Sequence, residues 1–168
     1  DSDGNMYIGT ADGTIYRRSA TTDSVSLLKS EGAWGTPMRL FEDHLYWYTK
    51  NDSGSNGLFK APVPPEGMVI TAGSITQILA SEDYNPSGLA IDGMGNVYLM
   101  VGWENSTLTR VTPQGVVEDV WELPTENPNK AVWHNNKLYI AAGNQDSTVY
   151  VLHLGEDYGT GAVPQNTW

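Results

Sequence analysis

A tyrosine that returns four times, always in the same short setting, constrains this chain more than any other feature. Four windows superimpose on it: Asn5-Met-Tyr7-Ile-Gly-Thr10, His44-Leu-Tyr46-Trp-Tyr-Thr49, Asn96-Val-Tyr98-Leu-Met-Val101 and Lys137-Leu-Tyr139-Ile-Ala-Ala142. The intervals between the tyrosines are 39, 52 and 41 residues, and the long middle one takes up an insertion that begins at Pro62-Val-Pro-Pro-Glu-Gly67. A supersecondary unit of forty-odd residues that repeats is a unit that cannot bury its own apolar surface and must stack on its neighbours.

The content of each unit is β. Each window is followed by a second short strand: Thr14-Ile-Tyr16-Arg, Gly57-Leu-Phe59-Lys, Thr107-Leu-Thr-Arg110-Val and Thr148-Val-Tyr150-Val. A third follows in three cases, at Val25–Leu28, Ile75–Leu79 and Val117–Trp121, and three windows are preceded by one, at Met38–Phe41, Gly88–Ile91 and Lys130–Trp133. Asp92-Gly93-Met94-Gly95-Asn96 supplies the Gly, Asp and Asn of a tight hairpin turn. No stretch sustains a 3.6-residue period with caps, so no helix is expected. Four short antiparallel strands per forty residues is the pattern of a β-propeller blade.

The expected fold is therefore all-β: a β-propeller of four-stranded antiparallel blades, about four of them, forming one domain. The blades fall at residues 1–30, 37–80, 86–122 and 129–168. With strands lettered a to d outward from the axis, blade one lacks strand a, and His153 to Trp168 has room for one further strand. The expectation is part of a larger ring, its remaining blades supplied by the same or another chain. An open ring would leave sheet edges and apolar faces exposed.

Charge narrows the partners. The 168 residues carry a net charge of −11 with a pI near 4.4, which disfavours nucleic acid and anionic membrane surfaces, both of which need clustered Lys and Arg. No apolar run reaches the length of a membrane span. The absence of cysteine excludes disulfides, thiolate metal sites and cysteine nucleophiles. With only 17% charged residues and abundant Gly, Asn, Ser and Thr, the composition points to an extracellular, cell-surface or periplasmic protein.

The segment Pro86-Ser-Gly-Leu-Ala-Ile-Asp-Gly-Met-Gly-Asn-Val-Tyr98, followed by Arg110-Val-Thr-Pro-Gln-Gly115, resembles bacterial NHL-type propeller repeats, and residues 86–117 carry the resemblance best. It implies a propeller of six or so blades, commonly used to bind proteins, peptides or glycans. A second relative is the gluconolactonase and regucalcin group, whose resemblance implies a divalent cation held on the axis by carboxylates and asparagines. One of those asparagines stands in an N-G-L-A motif at strand a. Ser87 occupies the matching position here, and Asn85 lies two residues earlier.

In a propeller the d–a and b–c loops open on one face and the a–b and c–d turns on the other. The first face receives the residues expected to contact a ligand: Trp34, Asp52, Tyr84, Asn85, Trp103, Glu104, Asn105, Asn127, Asn144 and Asp146. Aromatic faces beside carboxylates and amides suit a sugar ring or a peptide backbone. The opposite face, with tight turns and the insertion over 62–74, ranks second. Asp1-Ser-Asp3-Gly-Asn5 begins like a calcium loop, but Met6 stands where such a loop needs Gly, and the repeat makes it a turn. No nucleophile elbow, zinc-protease motif or phosphate loop occurs. Met38, Leu40, Leu89, Ile91, Ala131 and Trp133 make the strand-a interiors apolar.

On these grounds the expected function is a non-catalytic binding module, with no catalytic residues and no cofactor, engaging a protein, peptide or glycan. The alternatives are a lactonase-like hydrolase or lyase that uses a divalent cation near the axis, and a structural subunit of a surface assembly.

Overall fold

A computed structural model describes residues 1–10, 12–29, 37–49, 56–80, 86–102, 106–124, 128–141 and 148–153. They form four antiparallel sheets in two compact units, Asp1–Asp83 and Tyr84–Trp168. The first unit holds a three-stranded sheet of β1 (Met6–Gly9), β2 (Ile15–Arg18) and β3 (Val25–Lys29). Its second sheet has four strands: β4 (Met38–Phe41), β5 (His44–Thr49), β6 (Gly57–Pro62) and β7 (Thr76–Ala80). The second unit holds a four-stranded sheet of β8 (Pro86–Ile91), β9 (Val97–Val101), β10 (Thr107–Val111) and β11 (Val117–Glu122). A three-stranded sheet follows, of β12 (Lys130–His134), β13 (Lys137–Ala141) and β14 (Val149–His153). Every sheet is a simple meander, as propeller blades are. Among the described residues the one helical piece is a single 3-10 turn at Ala72–Ser74, and no helix is long and apolar enough to cross a membrane.

Local chemistry sets the turns. Phe41 pairs with His44, and Glu42 and Asp43 between them both have positive φ, 45° and 57°. Asn135 and Asn136 repeat this between His134 and Lys137, at 49° and 57°. Positive φ at both central residues is the type I′ hairpin, which matches the strand twist. The other two a–b turns are longer and are built around an aspartate. Asp92 Oδ1 accepts from the backbone N–H of Met94 (2.8 Å) and Asn96 (2.9 Å). Its Oδ2 accepts from Asn96 Nδ2 (2.9 Å) and from the Tyr98 hydroxyl (3.2 Å). Asp1 repeats the set with Asp3 N, Asn5 N, Asn5 Nδ2 and the Tyr7 hydroxyl. The calcium-like spelling of Asp1-Ser-Asp3-Gly-Asn5 is thus a turn whose acid is occupied by backbone and side-chain donors.

Two copies of the recurrent tyrosine, Tyr7 and Tyr98, pack between the sheets of their units. In the second unit Tyr98 is fully buried, stacked against Trp121 at 6.5 Å and Trp133 at 6.2 Å between ring centroids. Met100, Leu108, Leu138, Ile140 and Leu152 complete that core. In the first unit Trp47 stacks on Phe59 at 6.0 Å, and Tyr7 packs against the cluster of Ile15, Leu28, Leu45 and Trp47. The insertion after β6 folds back onto β2 and β3. Arg17, 5% exposed, donates to the Pro64 and Pro65 carbonyls at 2.7 and 2.8 Å, and Ile70 N donates to Leu28 O at 2.7 Å.

Candidate functional site

The register places one end of each sheet where strand a begins, strand b ends and strand c begins. In the third blade that row is Pro86, Val101 and Thr107. In the fourth it is Lys130, Ala141 and Val149. The long b–c connections leave from this end. All ten expected contact residues, Trp34, Asp52, Tyr84, Asn85, Trp103, Glu104, Asn105, Asn127, Asn144 and Asp146, lie outside the described residues.

What is described at that end is the pair of strand-a heads in the second unit. Ala90 pairs with Tyr98 and Val132 with Tyr139, so Ser87 and Asn129 each lie three residues earlier in sequence, with Ser87 in the bulge between Pro86 and Gly88. The half-buried Ser87 donates its hydroxyl to the Pro128 carbonyl, with the Met100 carbonyl oxygen 3.5 Å away. Asn129, exposed, donates its backbone N–H to Ala141 O at 3.0 Å. Gly88 permits this approach, since a Cβ there would stand 3.0 Å from the Asn129 carbonyl oxygen and 2.1 Å from Met100 Cε. Asn129 is absent from the expected set, although aligning Pro128-Asn129 on Pro86-Ser87 would have found it. At the head of strand c in the same sheet the Ser106 hydroxyl is buried without a hydrogen-bond partner among the described residues.

The opposite end carries a cavity of about 740 Å³ in the first unit, on the side ranked second from sequence. Asp1, Asp3, Asp43 and Glu66 line it with Tyr7, under a roof of Pro64 and Pro65 that Arg17 holds down. Burial raises the Tyr7 hydroxyl above its ordinary pKa against the opposing pull of Arg17. The Asp1 carboxylate in this wall is already occupied by its turn, and Arg17 by the two carbonyls.

No three His, Cys, Asp or Glu side chains among the described residues are grouped to hold a metal ion. Ser87 stands where the gluconolactonase-like motif has an asparagine, and its hydroxyl faces the carbonyls of Pro128 and Met100. The described residues therefore do not fit a divalent cation, which asks for several hard oxygen ligands with carboxylates among them.

The family model for the SMP-30/Gluconolactonase/LRE-like region matches residues 1–144. Among solved structures, the chain is similar to regucalcin from Agrobacterium tumefaciens, a calcium-binding protein. That likeness has 16% identity and a TM-score of 0.62, over 94% of this chain and 54% of that one. It is similar to a gluconolactonase from Xanthomonas campestris at 14% identity and a TM-score of 0.61, over 80% and 43%. The computationally designed Ika4 protein is similar at 14% and 0.62, over 92% and 88%. These likenesses show the β-propeller fold. The chain spans about half the length of the two natural relatives. No curated protein matches it by sequence.

Two expectations are corrected by the family match: that the chain is a non-catalytic binding module, and that an enzyme is the less favoured reading. Both leaned on the apolar strand-a interiors. Those residues are packing: Leu89 and Ala131 are buried, and Trp133 stacks on Tyr98. They carry no information about the strand heads and loops, where a propeller's ligands gather. With its meander sheets and a match over residues 1–144, the chain belongs to the SMP-30/gluconolactonase/LRE-like family.

Proposed function

We propose that this chain is part of a lactonase-like hydrolase. In the reaction water adds to the carbonyl of a cyclic ester, the ring C–O bond breaks, and the hydroxy acid leaves with one proton released at neutral pH. The observation that carries the reading is the family match over residues 1–144, and the gluconolactonase neighbour supports it. The loop end of the sheets is the place proposed for the chemistry. The strand-a heads lie there, where strands b end and strands c begin, and the sequence between those strands carries Asp52, Glu104 and Asp146 in three successive blades. A divalent cation enters this reading through those carboxylates. Since the described residues do not fit one, no step is assigned to it.

The NHL-like spelling of residues 86–117 is read as the blade pattern of a related propeller type, its Asp92 and Asn96 accounted for by the turn. Further blades, from the same or another chain, are proposed to meet the outer faces of the first and fourth sheets. Met6, Ile8, Val25 and Leu27 are exposed on one, and Val132 and Val149 on the other. The low charged content, with abundant Gly, Asn, Ser and Thr, supports an exported location.

The test is proton release from glucono-lactone by the purified protein, followed with a pH indicator in weak buffer. Catalysis is expected above the spontaneous rate. A rate equal to the blank, with calcium, magnesium, manganese and zinc each supplied in turn, would overturn the reading.

A further inference from the structure

We infer that Ser87 has left the cation-binding set and serves instead as a clasp between the inner heads of the third and fourth blades. The inference rests on the lactonase-like reading only for the expectation of a cation near the axis.

Ser87 and Asn129 match in sequence, each three residues before the strand-a partner of its tyrosine, and Ser87 stands in the bulge between Pro86 and Gly88. At such a position an amide side chain offers a carbonyl oxygen to a hard cation, whereas a hydroxyl offers a weaker, neutral donor. Ser87 is also engaged elsewhere: its hydroxyl donates to the Pro128 carbonyl of the next sheet. Among the described residues its other acceptor is the Met100 carbonyl, in its own sheet.

The same contact does mechanical work. Pro128 and Asn129 are joined by one peptide unit. Ser87 holds its carbonyl, while Ala141 O accepts the Asn129 N–H at 3.0 Å. That peptide is fixed from both sides, by the neighbouring blade and by its own. Gly88 lets the Asn129 carbonyl approach to 3.0 Å of its missing Cβ, so the two heads lie against each other with no side chain between them. A hydrogen bond across blades therefore supplies the cross-link, and the ligand count for any axial cation falls by one. Cation affinity in oxygen sites follows ligand number and charge.

The experiment compares wild type, Ser87→Ala and Ser87→Thr by terbium luminescence titration and by thermal unfolding, with and without calcium. Ser87→Ala is expected to lower the midpoint by about 2–4 °C, the worth of one hydrogen bond in a chain of this size, and Ser87→Thr to restore it. Terbium affinity, where wild type binds, is expected to change less than twofold in either variant. A tenfold loss of terbium affinity in Ser87→Ala, or a midpoint unmoved by it, would overturn the inference. Both readouts are independent of turnover. A protein without lactonase activity whose Ser87→Ala midpoint falls sinks the functional reading and leaves the clasp standing.

Discussion

Asp92 and Asp1 are the same residue in two settings, and the difference between them sets a prediction. Each accepts three hydrogen bonds from its own turn and one from the tyrosine of the next strand, but Asp92 is 1% exposed and Asp1 is on the surface. Asp92→Ala strips acceptors from buried donors that water cannot reach, and should cost about 2–3 kcal/mol. Asp1→Ala leaves donors that water satisfies, and should cost less than about 1 kcal/mol. Urea denaturation of both variants checks the contrast, which fails if the two losses are equal. Tyrosine ionisation gives a second residue-scale expectation. Burial raises Tyr7, and burial with the Glu42 charge raises Tyr46. A raised folded pKa means that stability is fully present below the unfolded value near pH 10, and is lost as pH rises through the folded value. Thermal midpoints should therefore fall above about pH 10. The double variant Tyr7→Phe/Tyr46→Phe should fall less over the same range.

At the scale of the element, two glycines separate a tolerable close approach from an intolerable one. A Cβ on Gly88 would meet the flexible end of Met100, which can swing, and the Asn129 carbonyl at 3.0 Å. Gly88→Ala is expected to cost about 1–3 kcal/mol, as overpacking does. A Cβ on Gly57 would stand 2.0 Å from the Leu79 carbonyl oxygen, with φ at 154°. There the strand β7 backbone itself must move, at the bulge where its register with β6 already shifts. Gly57→Ala should cost more than Gly88→Ala, with amide exchange rising along β7. Equal midpoints for the two variants would refute this ranking. Elements were largely legible in the sequence because two-residue periodicity and Asp, Asn and Gly turns are local signals. Two hairpins are closed by Glu42-Asp43 and Asn135-Asn136. Neither pair has the Asn-Gly spelling that marks such a turn, and Glu42 is a residue that seldom takes positive φ, so the angles of the first pair were not readable in advance.

For the whole molecule, the equivalent tyrosines report which faces have neighbours. Tyr98 is fully buried between Trp121 and Trp133, while Tyr139, its counterpart one blade on, is half-buried. On the Tyr139 face Val132 and Val149 are 54% and 60% exposed. Leu138, on the other face of β13, is fully buried. Leu138→Ala should therefore destabilise the chain by about 2–5 kcal/mol. Val132→Ala should stay within about 0.5 kcal/mol. Calorimetry on the two variants tests the assignment, and a Val132→Ala loss comparable with that of Leu138→Ala would show this face to be covered in solution.

The chain alone determined the repeat, the strands and the meander blade, because each follows from alternation and turn chemistry within a few residues. It also pointed to a loop-bearing end as the place for function, since strand direction follows from the order of strands. It did not determine what the strand-a residues do. An apolar strand interior reads the same whether it lines an axis or packs against the next blade, and only the tertiary structure set Trp133 on Tyr98 and buried Leu89 and Ala131. The role of Ser87 likewise depends on Pro128, forty-one residues away, whose carbonyl takes its proton. The recurring tyrosine itself was visible from the start. How deeply each copy is buried was not, because burial depends on whether another sheet lies against that face.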